Sequence, residues 1–346
     1  MKSVANAMLA ATVAGLVCWA SSARAASNEL IAAAKTEGKV VWYTTMIVDQ
    51  AVRPIAAAFE KKYPGVKVEF ARGNSGDMAL KVINEGQARN RIGDVFDGTG
   101  TYSSIRAADM VAPYTPDSAA SLAPEFKDPK GYWHAENFYY LTAAYNTDQV
   151  TAEEAPKTYE DLLDPKWKGQ MAWAVTPEPT GAAGFVGNIL MTMGEEKGMD
   201  YLRKLAAQKI TNMTSSQRTV LDRTILGESP IALMIFNHHV PISQEKGAPV
   251  EWIRMEPLVS SASLIGLVKD APHPNAGKLL IDFILSDEGQ EAVAAAGYLP
   301  SNPNVKIPHA ELLPTGPKPF KANFMSPEVV DENLKKWIEI VNKTFM

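Results

Sequence analysis

An α/β fold in two domains is what this sequence predicts, and three observations predict it. Its 346 residues exceed what one core organises, since domains average roughly 150 residues. Hydrophobic residues make up 46% of the chain, enough to build more than one core. Short β-rich runs alternate with helical patterns along the sequence, the arrangement that gives helices packed on sheets, and two sheets are expected rather than one.

The chain opens with Lys2, an apolar run from Val4 to Ala20, and Ser21-Ser22-Ala23-Arg24-Ala25 with its Ala-x-Ala ending. This is the pattern of a secretory signal peptide over residues 1–25, cut after Ala25. An apolar run of about 17 residues is at the short limit for a membrane span. The expected mature chain is therefore free in the exported compartment. Cys18, the single cysteine, leaves with the signal, so disulfides, thiol catalysis and thiolate metal sites are excluded from the mature protein. Loss of Lys2 and Arg24 takes the formal charge from −5 to −7. That balance argues against nucleic acid as a partner, because no basic field is present to hold phosphates.

Lys39 to Tyr43 reads as a strand, and Val52, Ile55, Ala56, Phe59 and Tyr63 follow at helical spacing. Pro64-Gly65 ends that helix, Val66 to Phe70 alternates as a strand, and Ser75 with Asp77 starts the next helix. Further strands are expected at 94–96, 139–145, 171–175, 231–236 and 263–268. Turn residues crowd 147–168, the expected first crossing between domains, and a second crossing is expected at 257–263. Beyond it, Asn275 is expected to cap one helix, Ser286 a second ending at Gly297, and Ser326-Pro327 a third with the stripe Val330, Leu334, Trp337 and Val341.

Hydroxyl- and glycine-rich loops recur after successive strands: Thr44-Thr45, Gly73-Asn74-Ser75-Gly76, Gly98-Thr99-Gly100-Thr101 and Thr180-Gly181-Ala182. Ligands of open α/β sheets bind beyond the carboxyl ends of strands, where helix N-termini offer free amides to an anion. One such loop is ordinary turn chemistry; their recurrence points to a shared cleft. Arg218, at the start of a helix after Ser215-Ser216-Gln217, suits a carboxylate or phosphate. Asn237-His238-His239 follows a strand and falls at a sheet edge, where hydrogen-bonding histidines are favoured over metal ligands. Trp173 and Tyr102 are candidate apolar walls. No nucleophile elbow, His-Glu-x-x-His pair or phosphate loop is present, so an enzyme is not expected.

Taken in order, Lys39-Val40-Val41-Trp42-Tyr43-Thr44, Phe59-Glu60-Lys61-Lys62-Tyr63-Pro64-Gly65-Val66-Lys67-Val68, Gly93-Asp94-Val95-Phe96, Ala144-Tyr145-Asn146-Thr147, Leu162-Leu163-Asp164-Pro165-Lys166-Trp167-Lys168-Gly169 and Ser286-Asp287-Glu288-Gly289-Gln290 resemble the type II periplasmic solute-binding proteins of ABC importers, in particular their ferric-iron-binding branch. The resemblance spans about Lys39 to Pro303. It implies two α/β lobes, lobe I from 26–145 and 262–346 and lobe II from 146–261, joined by two crossing strands and closing on a ligand that is delivered to a membrane permease. Where ferric members of the family carry His, Glu and a Tyr-Tyr pair, the best matching positions here are Ile47, Thr99 and His238-His239. The hard oxygen donors that favour ferric iron are thus replaced. The family's anion-holding positions are better kept, in Thr180-Gly181-Ala182, Gln217 or Arg218, and Asn237.

The resemblance therefore implies a small anionic solute, held by Thr44, Thr45, Ser75, Thr99 and Thr101 from one lobe and by Trp173, Thr180, Gly181, Arg218, Asn237 and His238 from the other. No resident metal or cofactor and a monomeric state are expected. Ferric iron or a metal chelate remains the alternative ligand, and a sensor that presents its ligand to a receptor the alternative role.

Overall fold

The computed structural model describes residues 26–346, so the expected signal peptide and Cys18 lie outside the described residues. Strand β1 (Lys39–Thr44) follows helix α1 (Asn28–Glu37), and a π-helical turn at Val48–Val52 leads into α2 (Arg53–Lys62). The expected stripe of α2 is buried at Val52, Ile55, Ala56 and Phe59. Then come β2 (Lys67–Arg72), α3 (Ser75–Gln87), β3 (Val95–Asp97), α4 (Thr99–Ala107) and β4 (Val111–Ala112). Asn74, one residue ahead of the expected start, caps α3 by accepting the Asp77 amide at 2.9 Å.

The next strand, β5 (His134–Asn146), has 13 residues, and its antiparallel partner far along the chain, β10 (Leu258–Val268), has 11. Between them lie β6 (Met171–Ala174), α5 (Ala182–Met193), α6 (Glu195–Ala206), β7 (Thr211–Met213), α7 (Gln217–Ile225), β8 (Ile231–Phe236), α8 (His239–Gln244) and β9 (Val250–Ile253). After β10 come α9 (Pro274–Leu285), α10 (Asp287–Ala295), β11 (Leu299–Pro300), β12 (Ala322–Phe324) and α11 (Pro327–Phe345).

Two sheets were expected, yet one hydrogen-bonded ladder runs β2-β1-β3-β10-β5-β8-β6-β7. The reason is the length of β5 and β10. Between 134 and 141 β5 pairs with β10 and, at 137–138, with β11, whereas between 141 and 146 it pairs with β8 and β9, so β5 belongs to both halves and welds their sheets. Both strands reach well beyond the expected spans 139–145 and 263–268. The start of α9 also differs: Pro274 takes its first turn, while Asn275 donates from Nδ2 to Glu37 Oε1 at 2.7 Å instead of capping.

Each half has its own core. Trp42, Phe59, Ile265, Leu279 and Phe283 pack together in the first, and Trp173, Phe185, Leu202, Leu233 and Trp337 in the second. Trp337 comes from α11. A boundary at residue 261 assigns that helix to the first lobe, but it packs on α5 of the second. Gly187 of α5 makes the notch, since a Cβ there would come within 2.7 Å of the Trp337 ring. Among the described residues no helix is long and apolar enough to cross a membrane.

Trp337→Ala should destabilise the second core by about 3–5 kcal/mol, the usual result of emptying a large aromatic site. Gly187→Ala should also destabilise, and the double variant should cost less than the two single effects added. Urea unfolding midpoints measure all three; strict additivity would separate the notch from the ring.

Candidate functional site

Between the two halves lies a cleft of about 410 Å³. Its first-lobe side is made where strands end and helices begin: Thr45 and Met46 after β1, Arg72 and Ser75 between β2 and α3, and Gly98 to Gly100 between β3 and α4. Its second-lobe side has the same construction. Glu178 to Thr180 precede α5, Ser216 to Arg218 open α7, and Phe236, His238 and His239 follow β8. Asn137 and Tyr139 of β5 and Ser263 of β10 form the floor, beside Tyr298. Four helix N-termini thus border one cavity, each with amides that lack an intrahelical acceptor.

The expected residues divide into those that reach this cleft and those that support it. Thr45, Ser75, Thr99, Thr180, Arg218 and His238 line it. Thr44 is fully buried behind the wall, and its Oγ1 accepts the Met46 amide at 3.1 Å. Thr101 is equally buried and donates to the Ser75 carbonyl at 3.2 Å, tying α4 to α3. Gly98 joins these pieces. Its φ is +97°, and an added Cβ would meet Thr45 Cγ2 at 2.8 Å and Ser75 Oγ at 3.2 Å, so only glycine leaves the three loops in contact.

In the second lobe, Gly181 is the N-cap of α5 but is not part of the cleft lining. Asn237 is completely buried, its Nδ2 donating to the Leu312 carbonyl at 3.0 Å, so it braces the loop rather than facing the cavity. Trp173 does not serve as a wall. It is fully buried, donates to Asn212 Oδ1 at 2.7 Å and meets Phe345 edge to face. Tyr102 is likewise a core residue, beside Phe96 and Trp133.

Several lining residues went unread in the sequence: Arg72, Asn137, Tyr139, Glu178, Ser263 and Tyr298. Asn137, Tyr139 and Ser263 sit in strands long enough to cross between lobes, a length that local periodicity does not report. Ile47, which stands where ferric proteins carry a histidine, is half exposed, and its amide donates to Tyr298 Oη at 3.2 Å. Among the described residues no three His, Cys, Asp or Glu side chains gather as a metal-holding cluster.

Charge is arranged unevenly around the cleft. Burial pushes the His238 imidazole down to about 3, and burial with the nearby Arg218 charge brings His239 down to about 4, so both rings are neutral at pH 7. Arg218 and the exposed Arg72 supply the fixed positive charge, against the single lining carboxylate of Glu178. Arg218 is held in reserve by Asp222, at 2.7 Å within the same helix. Such a part-exposed pair is worth only about 0.3–0.5 kcal/mol, so a ligand can take the guanidinium from it. Gln217 Nε2 donates to Thr180 Oγ1 at 3.0 Å and links the starts of α7 and α5.

Under the first-lobe side lie two completely buried carboxyls. Asp97 Oδ1 accepts the Thr45 amide at 2.6 Å and the Thr45 hydroxyl at 2.7 Å. Glu136 Oε1 accepts the Ser263 hydroxyl at 2.7 Å. Burial raises both groups, and the charge of Asp97 raises Glu136 further.

Residues 94–333 match the family model of bacterial extracellular solute-binding proteins. The chain is 21% identical over 289 residues to an Fe(3+)-binding periplasmic protein of Serratia marcescens, covering 78% of this chain and 82% of that one. It is 24% identical over 251 residues to a putative 2-aminoethylphosphonate-binding periplasmic protein of Salmonella paratyphi A, covering 68% and 70%. Its fold superposes on the periplasmic binding protein AfuA from Actinobacillus pleuropneumoniae, solved with fructose-6-phosphate bound, with a TM-score of 0.70, 24% identity and coverage of 89% and 98%.

The half-buried histidines make stability pH-dependent. Their folded pKa values lie below the unfolded value of about 6.5, so their contribution is complete above about pH 6.5 and is lost as pH falls toward 4. Asp97 and Glu136, raised in the folded state, act with the opposite sign. The histidine share should therefore be read as a difference: between pH 7.5 and 5, wild type should lose more stability in urea melts than His238→Gln/His239→Gln. Equal losses would show that the rings stay hydrated in the folded protein.

Proposed function

Because this chain belongs to the bacterial extracellular solute-binding proteins, we propose that it captures a small anionic solute in the interlobe cleft and delivers it to the membrane permease of an ABC importer. The observation that carries the anion is the start of α7, with Arg218, and the approach to α5 lining one cavity together with the neutral His238-His239 pair. Thr180 adds to this. Its oxygen accepts from Gln217, and its own proton goes to Glu178 Oε2 in a long, exposed 3.5 Å bond that a ligand oxygen can replace. A phosphate, phosphonate or carboxylate suits these donors. The Salmonella and Actinobacillus relatives, with phosphonate and sugar-phosphate ligands in their names, support this class.

Closure follows from how the site is divided. Each lobe supplies part of the lining, and a ligand touching both stabilises the closed state through contacts that the open state lacks. β5 and β10 are the strands on which the lobes turn, and both carry floor residues. The protein acts in the periplasm after removal of residues 1–25, as a monomer that releases its ligand unchanged; recovery of chemically altered ligand would make it an enzyme instead. Ferric iron is the second reading, supported by the Serratia relative, and the cleft's few hard oxygen donors make it the weaker one.

Native mass spectrometry of gently purified protein, set against its denatured mass, should reveal an organic anion; an added mass of iron would reverse the order of the two readings. Arg218→Ala should weaken a phosphate-bearing probe such as glycerol 3-phosphate by about 1.5–3 kcal/mol in calorimetry, the range for a lost charge-assisted hydrogen bond. Unchanged affinity would remove Arg218 from the site.

A further inference from the structure

Resting on the reading that the cleft takes an anion, we infer that its floor selects for a second ligand feature: a hydrogen-bond donor, a hydroxyl or an ammonium group, set against Thr45 and Ser263. A hydroxyl has one proton and two lone pairs. Thr45 commits its proton to Asp97 Oδ1, and Ser263 commits its own to Glu136 Oε1. Thr99, between them in the chain of lining residues, donates to the Ala262 carbonyl. All three residues line the cleft, and their hydroxyls have only lone pairs left to offer a ligand.

The direction of these bonds does not depend on which carboxyl is ionised. Asp97 Oδ1 also takes the Thr45 amide, and Glu136 Oε1 also takes Asn137 Nδ2 at 3.4 Å, so both oxygens are acceptors. A proton on the pair belongs on Asp97 Oδ2 or Glu136 Oε2, which are buried with no hydrogen-bond partner among the described residues. The hydroxyls therefore stay oriented toward the interior in every charge state.

Their placement makes them act together. β1 and β10 both pair with β3, so Thr45 and Ser263 stand on either side of the strand that carries Asp97, and Thr99 follows it. This row of acceptors faces a second lobe that offers donors. The cleft thus sets a row of acceptors on its floor beside the cationic start of α7, and it matches a ligand with an anionic end and a donor-bearing body: an aminoalkyl phosphonate or phosphate, or a polyol phosphate. An anion with a bare alkyl body leaves the acceptors desolvated and unpaired, which is how polar sites reject analogues lacking a donor.

Two matched pairs test this by calorimetry on the mature chain: glycerol 3-phosphate against propyl phosphate, and phosphoethanolamine against ethyl phosphate. The donor-bearing member should bind at least about 10-fold tighter in one pair or both, the discrimination expected when a site's polar groups are left unpaired. Ser263→Ala and, separately, Thr45→Val should narrow that ratio, while Thr45→Ser should preserve it. Equal binding within both pairs would overturn the acceptor floor and leave the anion reading intact. Binding of glycerol or ethanolamine with no binding of any phosphate would overturn the anion reading and leave the floor standing. If the substituted proteins fail to fold, the wild-type ratios still decide.

Discussion

The antiparallel pairing of β5 with β10 is the interaction on which the rest of this molecule depends. Residues far apart in sequence, Val259 with Leu141 and Ile265 with His134, are locked in register along it. The first lobe's sheet joins β10 through β3, and the second lobe's joins β5 through β8 and β9. A shift in this register by one residue would turn Asn137, Tyr139 and Ser263 to the other face and remove the floor of the cleft. The same pairing therefore holds the lobes together and positions the site between them.

Function is also written into the cost of this arrangement. Two carboxyls buried below the cleft are unfavourable for folding, because both charged forms are desolvated and the charge of Asp97 raises Glu136 further. Apolar residues there would pack more cheaply. What Asp97 and Glu136 contribute is direction, fixing which way the wall hydroxyls point and tying the loop after β1 to the end of β3. The histidines behind the second-lobe donors show the same logic. They are kept neutral by burial, so positive charge stays with the guanidinium.

The sequence made the local elements legible and left the long-range ones obscure. β1, α2, β8, α10 and α11 were readable because capping residues and one-sided apolar spacing mark them directly, as at Ser326-Pro327 and Val330, Leu334, Trp337 and Val341. The first half of β5 was not, since His134, Glu136 and Asn137 interrupt an apolar pattern although all three are buried. Asn137 lines the cleft and Glu136 holds the Ser263 hydroxyl of its lining, so two of the residues that hid the strand are ones that face or support the cavity. For the cleft, several residues of the hydroxyl-rich loops and Arg218 fall on one cavity lining. Their pattern did not separate Thr45 and Thr99, which line it, from Thr44 and Thr101, which brace it, because alternation along the chain becomes meaningful only once the loops are folded. Trp173 was misread for a related reason: an aromatic in a strand is usually core, and here the C-terminal helix covers it through Phe345.

That covering helix has a consequence for how the chain reaches its finished state. The second core is closed by Met325, Val330, Trp337 and Val341, which arrive only after the whole first lobe has been threaded. Contacts so distant in sequence form slowly, because the loop entropy is spent before the packing is gained. A chain built this way stays open until nearly all of it is present, with Gly187 waiting for a ring supplied by the final helix. The second core therefore rests on a helix that reaches it from beyond the first lobe's sequence, so a change in either partner of the Gly187–Trp337 contact acts across 150 positions of chain.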